Sequence, residues 1–171
     1  MRNAKWLACV VAIGMTAMVA RAGDGALRIG GGAHYWTTVD SIDAKNVDKD
    51  GFSWLASLQY KPSFVGFGAD LEWKERGFAG STKTVYEPQA YLILGSAIYG
   101  AAGVGGYYTD GEFADDPFYF FRVGLDLELL PSLHLDVHGI YRFENWDSLH
   151  NEATNIDTDT VTLGAAVRLA L

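Results

Sequence analysis

Residues 121–144 read FRVGLDLELLPSLHLDVHGIYRFE, and they contain two runs in which apolar and polar side chains alternate. In both runs the odd-numbered positions are mostly apolar. The even-numbered positions carry Arg122, Asp126, Glu128, His134, Asp136, His138, Arg142 and Glu144. Successive side chains of a β-strand point to opposite faces, so a period of two predicts two strands with one apolar and one polar face. Pro131 and Ser132 between the runs indicate a tight turn, and therefore an antiparallel hairpin.

The same alternation covers most of the chain outside this hairpin. It predicts strands over residues 27–39, 52–60, 65–74, 85–94, 97–109 and 161–171, which brings the total to eight. The third of these strands places Asp70, Glu72 and Lys74 on its polar face, and the last places Arg168 there. Glycines blur the two faces of the strand at 97–109.

The connections between the predicted strands alternate in length. Short segments with turn residues lie at 61–63, 95–96 and 131–132. Longer polar and acidic segments lie at 40–51, 75–83, 110–117 and 145–159. Short turns at one end and long loops at the other are typical of an up-and-down meander, so the expected fold is an all-β, eight-stranded antiparallel barrel.

The N-terminal residues 1–22 have the layout of a secretory signal peptide. Arg2 and Lys5 precede an apolar run, and the small-residue motif Ala20-Arg21-Ala22 follows it. We therefore expect an exported protein whose single domain spans 23–171. Without Arg2, Lys5 and Arg21, the basic count falls from 13 to 10 against 21 acidic residues, and the formal charge moves from −8 to −11. Nucleic acid is a poor partner for such a chain.

The volume of the side chains decides between a membrane barrel and a soluble, lipocalin-like ligand carrier. An eight-stranded interior is only just wide enough for side chains to fill it. The apolar faces carry many large residues, including Trp54, Phe67, Trp73 and Phe121, which would overfill that interior. We therefore expect the apolar faces to point outward into lipid. An Arg on the outer wall at the bilayer midplane would cost about 2–4 kcal/mol, which places the charged faces inside.

The lumen of such a barrel needs charges of both signs that neutralise each other. The expected lumenal charge network consists of Asp70, Glu72, Arg122, Asp126, Glu128, His134, Asp136, His138, Arg142, Glu144 and Arg168. Small residues on the same faces, such as Gly30, Gly68 and Gly164, would leave room for the long charged side chains. No cofactor and no metal is expected. The only cysteine, Cys9, lies in the signal segment.

With a signal segment, eight alternating strands, short turns and long acidic loops, the chain resembles the small outer-membrane β-barrel proteins of the OmpA/OmpX type. The resemblance implies an integral protein of the Gram-negative outer membrane, with surface loops and both ends in the periplasm. It further implies contact with membrane lipid and with the barrel-insertion machinery. It fixes no single activity, because such barrels serve as anchors, adhesins, narrow pores or lipid-modifying enzymes.

Two other residue patterns in the sequence bear on chemistry. Asn46, Asp48, Asp50 and Gly51 follow a calcium-loop spacing, but its twelfth position is Ser57 instead of Glu, which favours an ordinary acidic turn. A lipid-modifying enzyme would need a His at the outer wall or rim, and the candidates are His34 and the loop pair Ser148 and His150. No recognisable motif surrounds these residues.

The favoured function is therefore a non-enzymatic outer-membrane barrel with a structural or surface-interaction role. Its lumen would be filled by charged pairs, and its acidic loops would offer a surface for a ligand. The alternatives are a small passive pore, a lipid-modifying enzyme and a soluble periplasmic ligand-binding barrel.

Overall fold

The computed structural model describes residues 27–39, 48, 50–76, 78, 81–114, 117–143 and 159–171. The expected signal peptide at 1–22, most of the loop at 40–51, and Glu144, Ser148 and His150 lie outside the described residues. Within the described part of the chain, no helix is long and apolar enough to cross a membrane.

Ten strands make up the described structure. They are β1 (Leu27–Thr38), β2 (Asp50–Tyr60), β3 (Val65–Lys74), β4 (Val85–Gly95), β5 (Ile98–Gly105), β6 (Tyr108–Thr109), β7 (Glu112–Phe113), β8 (Phe118–Leu130), β9 (Leu133–Phe143) and β10 (Thr160–Ala170). Eight of them form the barrel wall, while β6 and β7 form a short hairpin at the loop end.

The barrel closes as a ring of antiparallel strands. The hydrogen-bonded order is β3-β2-β1-β10-β9-β8-β5-β4, and β4 pairs back with β3. Sequence neighbours pair throughout, except where the hairpin separates β5 from β8 and where the first strand meets the last. The eight-stranded antiparallel barrel predicted from the alternation is confirmed.

The predicted strand at 97–109 is wrong at its loop end. β5 stops at Gly105, and Tyr107 turns into the interior, where it is 1% exposed. The chain then forms the β6–β7 hairpin, which begins inside the predicted strand and continues into the segment expected to be a loop. β8 begins at Phe118, directly after the segment at 110–117 that was expected to be a loop. The contrast between its faces starts only at Phe121, because Phe118 to Phe121 are all aromatic.

The outer wall of the barrel is apolar. Val123 is 67% exposed on β8 and Leu163 is 64% exposed on β10. Aromatic side chains lie outward toward the strand ends, including Tyr35, Phe52, Trp54, Tyr86, Tyr119, Tyr141 and Phe143. The prediction that large apolar residues such as Trp54, Phe67 and Phe121 point away from the lumen is therefore confirmed.

Candidate functional site in the barrel lumen

The inward positions of the wall bring most of the charged residues of the strands together. Arg122, Arg142 and Arg168 are each at most 1% exposed, and Asp70, Glu72 and Asp136 are at most 4% exposed. Strands β3, β9 and β10 alternate strictly between inward and outward residues, so the polar face that the sequence shows on each of them lines the lumen.

Glycines on the inward faces make room for long side chains from the neighbouring strands. A Cβ on Gly30 would lie 2.8 Å from Cγ of Arg168, whose Nε crosses this position to donate to Ser57 Oγ at 3.0 Å. A Cβ on Gly68 would lie 2.1 Å from the ring of Tyr91. The predicted exchange of small against long residues is thus present at these two positions.

The loop-end level of the lumen is organised around Glu72 on β3. This carboxylate accepts hydrogen bonds from Ser53 Oγ at 2.5 Å, from Gln89 Nε2 at 3.0 Å and from Arg142. Arg142 also donates to Glu87 at 2.8 Å, and the ammonium of Lys74 lies 2.8 Å from the same carboxylate group. Two carboxylates and two cations therefore form a neutral group of four.

A second ion pair lies at mid-height between β3 and β8. Arg122 donates from one guanidinium nitrogen to Asp70 Oδ2 at 2.9 Å, and its guanidinium stacks 4.4 Å from the ring of Tyr91. Tyr91 donates its hydroxyl hydrogen to Asp70 at 2.9 Å and accepts one from Gln59 at 2.9 Å. The neutral side chain of Tyr91 thus contacts both members of this ion pair.

The third ion pair joins β10 to β9. Arg168 lies 2.9 Å from Asp136 Oδ2, while the other oxygen of Asp136 contacts His138 Nδ1. His138 Nε2 lies 2.9 Å from Nε2 of His34 on β1, and His34 Nδ1 lies 3.1 Å from Glu72. The carboxylates of Glu72 and Asp136 are therefore connected by a series of polar contacts that passes through the imidazole rings of His34 and His138.

The position of His34 differs from the position expected for a lipid-modifying enzyme. It is 1% exposed and points into the lumen, not toward the outer wall or the rim. The reason is its parity on β1, where the outward neighbour Tyr35 is 40% exposed. His34 is a member of the lumenal network that the sequence interpretation left out.

The turn-end level is centred on Asp126. Arg28 and Lys61 share its Oδ2 atom at 2.5 and 2.8 Å, and His134 Nδ1 lies 2.9 Å from Oδ1. Lys61 also donates to the carbonyl of Ser96 in the adjoining turn, at 2.6 Å. These contacts tie the first strand and two of the tight turns to one carboxylate.

Glu128 is the one described residue of the expected network that is not buried with the others. It is exposed near the turn end of β8, opposite His134, and no ion pair joins it to another described residue. Its inward parity is correct, but on the side of β5 it lies beyond the end of the strand pairing, which stops at Ile98 opposite Leu125. The expected network also missed Arg28, Lys61, Lys74 and Glu87.

Aromatic rings close the interior above the ion pairs, toward the loop end. Trp36, Phe78, Tyr107, Phe118 and Phe120 are each at most 2% exposed and pack ring against ring. Phe78 comes from the β3–β4 connection and lies over Lys74, whose ammonium is 3.6 Å from the ring centroid. The sequence interpretation missed this aromatic cap. On β1 and β8 its residues alternate with outward residues that are also aromatic, so the sequence shows no contrast between the two faces there.

The lumenal contacts are those of a packed interior. No group of three or more metal-ligating side chains suited to a metal ion occurs among the described residues. Ser57, the twelfth position of the calcium-like spacing, lies in the lumen and accepts from Arg168, which removes it from that pattern.

Comparisons with known proteins agree with this architecture. No family model and no curated protein matches the chain. Among solved structures the chain is similar to Neisserial surface protein A, with 18% identity, a TM-score of 0.59, and coverage of 86% of this chain and 98% of that chain. It also matches OprG from Pseudomonas aeruginosa, with 14% identity, a TM-score of 0.47, and coverage of 85% and 96%.

A further match is Ail from Yersinia pestis, with 16% identity, a TM-score of 0.45, and coverage of 85% of this chain and 100% of that chain. The likeness to Neisserial surface protein A and the closed ring of strands define the class. The chain has the fold of the small eight-stranded outer-membrane β-barrels.

Proposed function

We propose that this chain is an integral outer-membrane protein with a closed, non-conducting lumen and a structural or surface-interaction role. The observation that carries the proposal is that the barrel wall is apolar outside and charged inside, the reverse of a water-soluble protein. Large apolar side chains such as Val123 and Leu163 are exposed, while Arg122, Arg142 and Arg168 are buried inside. A protein with this distribution is suited to a lipid surround and poorly suited to water.

The stacked contacts support a closed lumen. Ion pairs occupy three levels, centred on Asp126, on Asp70 with Asp136, and on Glu72 with Glu87. The aromatic cap lies above them at the loop end. A continuous water path would have to displace charge-assisted hydrogen bonds at every level, and each such bond contributes about 1.5–3 kcal/mol.

The loop end then provides the surface that remains for contacts with the envelope or with a ligand. Its described residues include Glu75, Asp110 and Glu112, all exposed, and the four connections there are longer than the turns at the other end. The acidic character of these connections favours a partner that carries positive charge or divalent cations.

Envelope fractionation tests the membrane placement. The expressed protein is expected in the outer-membrane fraction, and its detergent extract should migrate differently in a gel before and after boiling. Recovery of the protein in the soluble periplasmic fraction would contradict the proposal and would favour the ligand-carrier alternative.

Planar bilayer recordings test the closed lumen separately. We expect no single-channel steps from the refolded wild-type protein. Reproducible steps that disappear when the protein is omitted would establish the small pore instead, without affecting the membrane placement.

We also propose that the protein is not an enzyme. The support is the lumenal position of His34, which the barrel wall separates from lipid. Comparing outer-leaflet lipid species between a wild-type and a deletion strain tests this point. A lipid species that requires the intact gene, and that is lost with His150→Ala while the barrel still forms, would show that a loop residue is catalytic.

A further inference from the structure

Basic side chains are distributed very unevenly in the described part of the chain. Six of its eight Lys and Arg residues, namely Arg28, Lys61, Lys74, Arg122, Arg142 and Arg168, point into the lumen and have side chains at most 13% exposed. The other two, Arg76 and Lys83, are exposed. Both line the same depression, of about 590 Å³, together with Glu75, Thr82 and Thr84.

The depression lies just beyond the outward aromatic side chains at the loop end of the barrel wall. It is formed by residues that directly follow β3 and directly precede β4. The outward residues of these two strands nearest the loop end are Trp73 and Tyr86, which are paired across the strands. Aromatic side chains of this kind lie at the level of lipid headgroups, so the depression is at headgroup height on the loop side.

The donors in the depression match a phosphate group. The guanidinium of Arg76 has no ion pair with another described residue, and its fork of N–H groups suits two phosphate oxygens. Lys83 pairs with Asp110, but both side chains are more than half exposed, and such surface pairs are weak enough to exchange partners. Thr82 and Thr84 add hydroxyl donors on the same wall.

We propose that this depression binds a phosphate group of a lipid headgroup in the outer leaflet. The proposal rests on the membrane placement proposed above. A chain with a negative formal charge is repelled by an anionic leaflet as a whole, and Arg76 with Lys83 is where the described surface offers the opposite sign. Glu75 lines the same depression and weakens its hold on an anion.

Native mass spectrometry of the refolded full chain in neutral detergent tests the site. The probes are bisphosphorylated lipid A, the same glycolipid after removal of its phosphates, and inorganic phosphate. We expect the wild type to prefer the phosphorylated lipid about tenfold, which corresponds to one or two charge-assisted contacts. The double variant R76Q/K83Q should lose this preference, and the matched variant Glu75→Gln should increase it.

Three outcomes overturn the headgroup site. They are equal retention of the two lipids by the wild type, an unchanged preference in R76Q/K83Q, and displacement of the lipid by inorganic phosphate at an equal concentration, which would indicate a site for the free anion. The same samples are run on a gel with and without boiling. Loss of the mobility shift in the wild type would mean that the proposed membrane barrel itself fails, whereas an intact shift with equal lipid retention rejects the phosphate site alone.

Discussion

His34 on β1 and His138 on β9 meet through their Nε2 atoms, 2.9 Å apart, although a whole strand lies between them. The intervening strand is β10, and its residue at this height is Gly164, which pairs with His34 on one side and His138 on the other. Neighbouring strands are about 4.8 Å apart, so two side chains can meet over a middle strand only where it presents no side chain of its own.

Gly164→Ala should therefore destabilise the barrel. An added Cβ would lie 2.3 Å from Cδ2 of His34 and 2.7 Å from Nε2 of His138, so both rings would have to shift. Overpacking of this kind costs about 1–3 kcal/mol in the free energy of unfolding, which urea titration of the refolded protein measures. The control is Gly139→Ala, where the nearest atom is 3.8 Å away. Equal stability of the two variants would contradict the packing described here.

Arg142→Met should cost more than a change of surface charge. Arg142 contacts both Glu72 and Glu87, so its removal leaves two buried carboxylates short of a partner. Breaking a buried ion pair by removing one member costs about 3–5 kcal/mol. The same substitution at the exposed Arg76 is the control and should change the free energy of unfolding by about 0.5 kcal/mol or less. A small effect at Arg142 would show that water already solvates this level.

Val123→Arg tests which solvent the outer wall meets. Val123 is 67% exposed near the middle of β8, and a cation at the bilayer midplane costs about 2–4 kcal/mol. Leu129→Arg lies on the same face near the turn end, where the cost falls to about 0–1 kcal/mol. Unfolding in phospholipid vesicles should separate the two variants. Equal stabilities would place Val123 outside the hydrocarbon region.

Tyr91→Phe should weaken the mid-height level by a smaller amount. The hydroxyl of Tyr91 donates to Asp70 and accepts from Gln59, and both of these partners are buried. Leaving buried polar groups without a partner costs about 1–3 kcal/mol each, so thermal unfolding should occur at a lower temperature. Tyr119→Phe, at an outward position that is 59% exposed, is the matched control. A lowering no greater than in this control would show that water replaces the hydroxyl.

The sequence predicts the faces of the strands well where polarity contrasts. On β3, β9 and β10 the alternation alone places Asp70, Asp136 and Arg168 inside. On β4 it does not, because Tyr91 and Ile93 point inward while Leu92 and Leu94 point outward, and all four are large and apolar. An inward aromatic residue on such a strand can be recognised only when the strand register is known, because the register shows which glycine on the neighbouring strand leaves room for its ring.

The sequence also does not predict which charged residues form ion pairs with each other. On the neighbouring strand β8, Arg142 lies opposite Phe120, while Asp126 and Glu128 lie nearer the turn. The partners of Arg142 are Glu72 and Glu87, which lie across the lumen. That choice depends on the stagger of a closed ring, which a linear pattern does not contain. Asp126 instead lies at the turn end, where it binds Arg28 and Lys61.

The ion pairs of the lumen join segments that are distant along the chain, and this has a consequence for assembly. Arg142 is 70 residues from Glu72, and Arg28 is 98 residues from Asp126. An incomplete sheet would carry these charges without partners, so a half-inserted chain gains little from its first hairpins. We therefore expect late, concerted closure, in which joining the first strand to the last neutralises the interior in one cooperative event.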